Sequence, residues 1–391
     1  METTPQTVRE ALAKLWELPP IPVERRLAAL ERFWQQVCLA PPLEIGQFPW
    51  AQVQRGIEAL ARSAPHCSEP EKMEKPGVLA LILAGNTPLL AWPVLHYCVL
   101  LGIPVFIKQS RDETVWTRHF VETLAGIDPE VAAFLHLDFF PGEDPRTQTL
   151  VQNADAVIAY GNDETMVALR EVTPETTPFQ GFGHATSVGL WTGKDAFTEF
   201  NDSLILTVAS SFGVGLDCLT YSQAGCLSLQ ALFVENSCLE YLIEFLKDDG
   251  MPRATEALGV LMPSKIGEIL RIREARDLAF MGGCEVIGDP ELRWTIIVHK
   301  ESCVLPKPTG FGVLHLIPLG DLAVFGEFLG LAKGRLSSIG VSGELSKELR
   351  VAIEAEGVSR ICRAGEMQTP PLDWHNGGVD LRAWLAKSLA S

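Results

Sequence analysis

Apolar and polar positions along this chain fall into short blocks whose period switches between that of a strand and that of a helix. Between Pro76 and Ile107 no residue carries a formal charge. Within that run GVLALILAG is a short apolar block ending at Gly85, NTP supplies a turn or cap, LLAWPVLHYCVLL has the length of a helix, and GIPVFIK is a second short β-rich block. Apolar strands either side of a helix are what a parallel sheet covered on both faces requires. By length alone the run also fits a membrane span, but Asn86, Pro88 and Pro93 would then sit in mid-bilayer. The alternation continues with an amphipathic helix near Asp112–Ala125, a strand near Phe134–Phe139, a helix near Arg146–Asn153, a strand in ADAVIAYG and a helix starting around Asn162. Such units predict a doubly wound α/β sheet with ligands beyond the carboxyl ends of its strands, here AGN (84–86), IKQS (107–110) and AYGN (159–162).

Before Pro76, ALAKLWEL, RRLAALERFWQQV and QVQRGIEALARS read as helices with proline-rich joints. In the second half SLILTVASSF fits a helix or a strand, and CLTYSQAGCLSLQ leads into the strand ALFVE. CLEYLIEFLKDDG reads as a helix ended by its glycine. PSKIGEILRIREARDLAF predicts another helix, and WTIIVHKES and GVLHLIPL predict strands. DLAVFGEFLGLAKGRLSSIG and GELSKELRVAIEAEG predict helices, and VSRICRAG closes the set. The expected organisation is a helical segment over 1–75, one α/β domain over 76–200 and a second over 201–365, with a boundary near Asn201. Residues 366–391 are expected to return to the first domain or to a partner subunit.

Composition narrows the function. At 391 residues the chain is long enough for two domains. With 47% hydrophobic and 21% charged residues it is globular. A net charge of −17 argues against nucleic acid as a partner, although helix ends and local cations can still hold a small anion. The N-terminus has no apolar signal core. Nine scattered cysteines without a C-x-x-C pair suit reduced thiols in a cytoplasm and support neither a disulfide framework nor a zinc site.

Several motifs fail on their spacing. GLWTGKD (189–195) is one residue short of a phosphate loop and has Asp where Ser or Thr is needed. GVGLDC (213–218) and GFGVLH (310–315) lack the third glycine of a dinucleotide fingerprint. There is no G-x-S-x-G elbow, and no close histidine spacing implies a metal.

Four residues remain with two readings each. Cys226 follows Ser222, Ala224 and Gly225, so the backbone there can approach a substrate closely, and a helix start would lower its thiol pKa; a packed structural thiol is the equal alternative. Asn86 is an N-cap of the helix after the first strand or an oxyanion donor. Lys108 is a strand-end charge or a cation for a ribose or 2′-phosphate, and His184 in GFGHATS is a turn residue or a site residue.

LAGNTP with IKQS, AYGNDET, GFGHATS, SQAGCLSLQ and the tail RICRAGEMQTPPLDWHNGG, taken in order across residues 77–380, resemble the acyl-CoA reductase (LuxC-like) branch of the aldehyde dehydrogenase superfamily. The branch more usually has Tyr-Asp-Gln-x-x-Cys-x-Ser-Pro-Gln, and this chain departs from it at Ser222 and Leu229. The resemblance implies an aldehyde dehydrogenase-like fold, with a Rossmann-type cofactor domain, an α/β catalytic domain and a cleft between them. It makes Cys226 the nucleophile, with Asn86 and the Cys226 N–H as oxyanion hole, and His184 a proton donor. It assigns Lys108, Ser110 and Arg111 to the adenosine ribose or its phosphate, Gly161 and Asn162 to the pyrophosphate, and Gly183 to the cofactor. Trp374 and His375 would line a channel or dock the C-terminus. The Lys-Gln-Ser-Arg run favours NADPH, with NADH the alternative. Aldehyde-oxidising relatives carry a water-activating glutamate in the segment matching FQGFGHAT (179–186). Its absence favours reduction of a fatty acyl thioester, carried by CoA or by an acyl-carrier protein, to the aldehyde. A dimer is the superfamily-level expectation. A cysteine acyltransferase or thioesterase without nicotinamide, and a non-catalytic carrier-protein-binding module, are the rival classes.

Overall fold

The uncharged run from Pro76 to Ile107 demands burial on both faces, and a computed structural model of the protein supplies it. The structure describes residues 4–39, 41–42, 46–66, 73, 75–192, 202–301, 307–332 and 334–390. They divide into two compact units, Met1–His184 with Pro371–Ser391, and Ala185–Pro370.

In the first unit α1 (Pro5–Trp16), α2 (Val23–Val37) and α3 (Trp50–Ser63) precede the sheet. Val8, Leu12 and Leu15 recur at helical spacing on α1 and bury against Phe106, Phe140 and Val157. The sheet then alternates strand and helix: β1 (Leu79–Ile82), α4 (Trp92–Leu101), β2 (Val105–Gln109), α5 (Val115–Ile127), α6 (Pro129–Ala132), β3 (Leu135–Phe139), α7 (Pro145–Asn153), β4 (Ala156–Tyr160), α8 (Asp163–Val172) and β5 (Phe179–Phe182). Its order is β3-β2-β1-β4-β5, parallel throughout. The chain winds outward from β1 to β3 and returns to β4 on the other side of β1, so β1 and β4 flank the topological switch point. Every residue of β1, β2 and β4 is buried. α4 ends at Gly102, whose φ of 74° is the left-handed cap; a Cβ there would lie 2.7 Å from Arg26 Nη1, and that guanidinium donates to the Leu100 carbonyl at 2.6 Å. The last described residues complete this unit: the Gly77 N–H donates to the Leu389 carbonyl at the end of α15 (Leu381–Leu389), and the Leu372 N–H to Ser63 Oγ.

The second unit contains β6 (Thr186–Trp191), α9 (Asp202–Leu219), β7 (Leu229–Glu235), α10 (Leu239–Phe245), α11 (Met251–Ala257), α12 (Ile266–Met281), β8 (Glu285–Gly288), β9 (Thr295–Val298), β10 (Val313–Leu319), α13 (Leu322–Leu331), β11 (Leu336–Ser342), α14 (Lys347–Ala355) and β12 (Arg360–Arg363). Its seven strands run in the order β12-β11-β6-β7-β10-β9-β8, parallel except where β8 pairs with β9. The two faces of the sheet carry separate apolar clusters, one around Val214, Leu232, Leu246 and Leu316, the other around Val188, Phe233, Phe325 and Ile339.

Several expectations need correction. β5 and β6 are strands that the hydrophobic pattern did not mark, and β6 carries the chain into the second sheet, so the units divide between His184 and Ala185. The boundary expected near Asn201 falls outside the described residues, as do Lys194 of GLWTGKD and two of the nine cysteines, Cys67 and Cys303. SLILTVASSF is helical, within α9. Leu336–Ser342 is strand β11 and not the end of a helix, because the chain turns at Gly334 (φ 71°). Gly250 does not stop its helix: Leu246–Gly250 forms a single π-turn that runs on into α11, and a Cβ there would stand 2.5 Å from the Ser211 carbonyl oxygen. The glycines of GVGLDC serve close packing too: a Cβ at Gly215 would meet the Gly250 carbonyl oxygen at 2.6 Å, and one at Gly213 the Ala364 carbonyl oxygen at 2.6 Å. Among the described residues no helix is long and apolar enough to cross a membrane, and no group of three or more His, Cys, Asp or Glu is placed to hold a metal ion.

Candidate active site

The residues expected to meet a cofactor gather at the carboxyl edge of the first sheet. Gly85 and Asn86 follow β1, and the Gly85 carbonyl accepts from Gln47 Nε2 at 3.1 Å. A Cβ on Gly85 would lie 2.5 Å from Ser110 Oγ and 2.8 Å from the Asp112 Cβ, so the ends of β1 and β2 close on each other only because this residue has no side chain. Asn86 is not the helix cap it resembles: a turn intervenes, and α4 starts at Trp92 after Ala91, without a side-chain cap. Lys108, in β2, is buried. Its ammonium lies 5.6 Å from the centre of the Phe140 ring, and burial lowers its pKa while the charges of Glu143 and Asp144 act the other way. Those carboxylates and Phe140 hold Lys108 inward, whereas Arg111 is exposed.

Gly161 and Asn162 follow β4. Asn162 caps α8 by accepting from the Thr165 N–H at 2.8 Å and the Thr165 hydroxyl at 2.6 Å, and Asp163 and Glu164 fill the first turn of the helix. Two carboxylates at a helix start that is already capped make a poor seat for a pyrophosphate. Gly183 and His184 follow β5. The His184 N–H donates to Asp163 Oδ1 at 2.8 Å, and a Cβ on Gly183 would lie 2.5 Å from that oxygen. The His184 side chain is exposed. FQGFGHAT has no carboxylate of its own, but Asp163 approaches it from α8. The Phe182 ring stacks on Tyr160 with centroids 4.7 Å apart, and Gly377 lies against its edge. The turn carrying half-buried Trp374 and exposed His375 is thereby brought to the ends of β4 and β5.

Cys226 belongs to the second unit. Tyr221, Ser222 and Gln223 have φ of 55°, 54° and 60°, three consecutive side-chain-bearing residues in the left-handed region. Each such residue costs on the order of 1–2 kcal/mol, and strain of this kind persists only where surrounding bonds enforce it. A turn over 225–228 follows, closed by the Ser228 N–H on the Gly225 carbonyl at 3.0 Å, and β7 begins at Leu229. Cys226 sits in this turn and not at the helix start expected to lower its thiol pKa. The residue as a whole is half-buried, while the thiol itself is enclosed. Burial pushes the thiol above its ordinary pKa; hydrogen bonds from the Ser337 hydroxyl and from the N–H groups of Cys226 and Leu227 oppose that shift. Burial also pushes up the thiols of Cys98 and Cys218, the second of which accepts from Gln223 Nε2 at 3.6 Å, and no hydrogen bond opposes the shift of either.

Serines missed in the sequence hold this turn from below. Ser187 Oγ donates to the Cys226 carbonyl at 2.6 Å and accepts from the Ser338 hydroxyl and N–H at 2.9 and 3.1 Å. The register of β6 shifts against β7 between Ser187 and Val188, and against β11 between Leu336 and Ile339, so two irregularities meet at this point. Gln368 Nε2 donates to Ser228 Oγ at 2.8 Å, and that oxygen also accepts from the Gly225 N–H. Of these, Ser228 was visible in the pattern around Cys226, as was the neighbouring Gln223. Ser187, Ser337 and Ser338 come from other strands and carried no local signal.

Comparison with known proteins agrees with this architecture. A family model described as "Acyl-CoA reductase (LuxC)" matches residues 57–386. The chain is similar to a long-chain acyl-protein thioester reductase of Aliivibrio fischeri, 21% identical over 302 residues that make up 75% of this chain; it spans 59% of that relative's length. Among solved structures it resembles an NAD-dependent aldehyde dehydrogenase from Sinorhizobium meliloti, with a TM-score of 0.69 and 17% identity, covering 93% of this chain and 80% of the other. It also resembles the glyceraldehyde-3-phosphate dehydrogenase GapN from Methanocaldococcus jannaschii complexed with NADP, with a TM-score of 0.71 and 12% identity, covering 100% of this chain and 93% of the other. The fold is thus that of the aldehyde dehydrogenases, and the chain belongs to the acyl-CoA reductase (LuxC) family.

Proposed function

We propose that this protein reduces a fatty acyl thioester, on CoA or on an acyl-carrier protein, to the aldehyde with NADPH, through a thioester formed on Cys226. The observation that carries the reading is the Cys226 turn: a half-buried cysteine whose thiol pKa is raised by burial and lowered by Ser337 and the neighbouring N–H groups, held next to a backbone kept in an unfavourable conformation. The family match and the acyl-thioester chemistry in the name of the Aliivibrio relative support the substrate class.

Residues of the first unit suit a nicotinamide dinucleotide in part. A parallel switch point is the usual seat of such a ligand, and Gly85, Gly161 and Gly183 leave the strand ends free of side chains. Arg111 is the more accessible cation for a 2′-phosphate, with Lys108 behind it. When bound, the cofactor supplies a hydride to the acyl carbon. Cys226, as thiolate, would attack the thioester carbonyl and expel the carrier thiolate, which takes up a proton. Ser337 and the N–H groups of Cys226 and Leu227 would stabilise the thiolate before attack and again when the reduced adduct collapses to aldehyde. Asn86 is proposed as a further donor to the carbonyl oxygen, His184 as a proton source, and Trp374 and His375 as wall residues.

The test is consumption of NADPH, and separately NADH, by the purified protein with a chain-length series of acyl-CoAs and acyl-carrier proteins, with trapping of the aldehyde. Cys226→Ala should lower turnover by about a thousandfold or more while leaving NADPH binding intact. Silence with every acyl donor sinks the proposal. Thioester cleavage that proceeds equally well without nicotinamide points instead to a thioesterase.

A further inference from the structure

The left-handed stretch Tyr221–Gln223 is unfavourable for its residues, so something must impose it, and the bonds converge on one side chain. Gln223 Nε2 donates to the carbonyls of Leu229 at 2.6 Å and Val313 at 2.9 Å, while its Oε1 accepts from the Val313 N–H at 3.0 Å. Its own carbonyl accepts from Gln230 Nε2 at 3.1 Å. The side chain is buried, at 2% exposure. It therefore ties the residues before the thiol to the first residue of β7 on one side of Cys226 and to the first residue of β10 across the sheet. The Phe311 N–H, donating to the Ser222 carbonyl at 2.9 Å, adds a second tie to the segment entering β10. From Gln223 to Cys226 the path is short and closed by the Ala224 N–H on the Tyr221 carbonyl and the Ser228 N–H on the Gly225 carbonyl, both at 3.0 Å. Little freedom is left between the amide and the sulfur.

We propose that Gln223 is a positioning residue for Cys226: its amide clamps β7 and β10 to the left-handed turn and so fixes the backbone from which the thiol projects. The proposal rests on the catalytic reading of Cys226 given above. Gln223 touches no substrate. It acts by fixing where the donors to the sulfur lie, so its loss should change the chemistry of the thiol as well as the stability of the unit.

Gln223→Glu keeps the shape and the acceptor for Val313 while setting a carboxyl oxygen against two carbonyls. The readout is the rate of iodoacetamide labelling at the Cys226 peptide, followed by mass spectrometry across pH, with folding checked by circular dichroism. Labelling near neutral pH should slow by about tenfold, and its pH profile should move upward. The apparent KM for NADPH, a property of the other unit, should hold within about twofold. Gln230→Met removes a single bond of the same knot and should give a smaller change in the same direction, about threefold; it decides the matter if the Glu variant does not fold. A folded variant with the unsubstituted rate and profile overturns the proposal, and so does slower labelling with an unmoved profile, which would mean altered access alone. If Cys226 of the unsubstituted protein labels no faster than a free thiol and Cys226→Ala retains turnover, the catalytic reading itself falls, and the proposal with it.

Discussion

Replacing Ser187 with alanine tests the floor beneath the thiol. The Ser187 side chain is fully buried and makes three hydrogen bonds, one given to the Cys226 carbonyl and two received from Ser338. Alanine removes the oxygen and leaves the Ser338 N–H and hydroxyl, also fully buried, without that partner. A buried polar group left unpaired costs about 1–3 kcal/mol. The hydroxyl can rotate toward another acceptor, but the N–H cannot. Together with the loss at the Cys226 carbonyl, the expected destabilisation of the second unit is about 2–3 kcal/mol, or about 5–10 °C in its melting temperature. Ser359→Ala is the comparison: it loses the hydroxyl bond to the Ser337 carbonyl at 2.9 Å from a half-buried position, where water can replace it, and should cost less than Ser187→Ala. The assay is urea unfolding followed by tryptophan fluorescence, with thermal scans alongside. Equal stability of Ser187→Ala and Ser359→Ala would refute the reasoning that Ser187 is the hub of this network.

Stability should also fall on mild acidification. Burial, and then the neighbouring His299, lower the pKa of His315 to about 4, and burial alone lowers that of His96 to about 3. A lowered folded value means that the native state resists protonation, so the contribution is complete above the unfolded value near 6.5 and is lost as pH falls toward the folded one. For His315 that is about 3 kcal/mol between about pH 6.5 and 4. Urea midpoints taken across this range should be flatter for His315→Gln, and superimposable curves would exclude the assignment. Gly183→Ala places a Cβ against Asp163 Oδ1 and should weaken NADPH binding by about tenfold through displacement of β5 from α8, while leaving Cys226 labelling unchanged. A change in labelling without one in binding would contradict it.

Much of the first sheet was legible because β1, β2 and β4 are buried on both faces and so appear as uninterrupted apolar blocks. β5 and β6 were not, because FQGF and TSVGLW alternate glycine, serine and threonine with apolar residues and look like loop punctuation. Their strand character comes from neighbours: Ser187 pairs with Leu229, and Gly189 with Leu232. β11 was absorbed into a helix since LAVFGEFLGLAKGRLSSIG is apolar at either period, and only the turn at Gly334 separates the two. Around the thiol, Gln223 and Ser228 stood beside Cys226 in the sequence, but the left-handed turn could not be read from Tyr, Ser and Gln, which do not favour it. Ser338 lies 151 residues from Ser187 and meets it only through sheet order. Asn86 looked like a cap because the intervening turn hides the true start of α4.

The chain leaves the first unit at His184 and rejoins it at Pro371. On the ribosome, residues that finish that unit, including the Leu389 carbonyl that receives the Gly77 N–H, are therefore synthesised after the whole intervening unit has emerged. The thiol-bearing half can mature during translation, whereas the other half must wait for the final segment. Premature termination anywhere in that segment would release a chain with the second unit whole and the first incomplete.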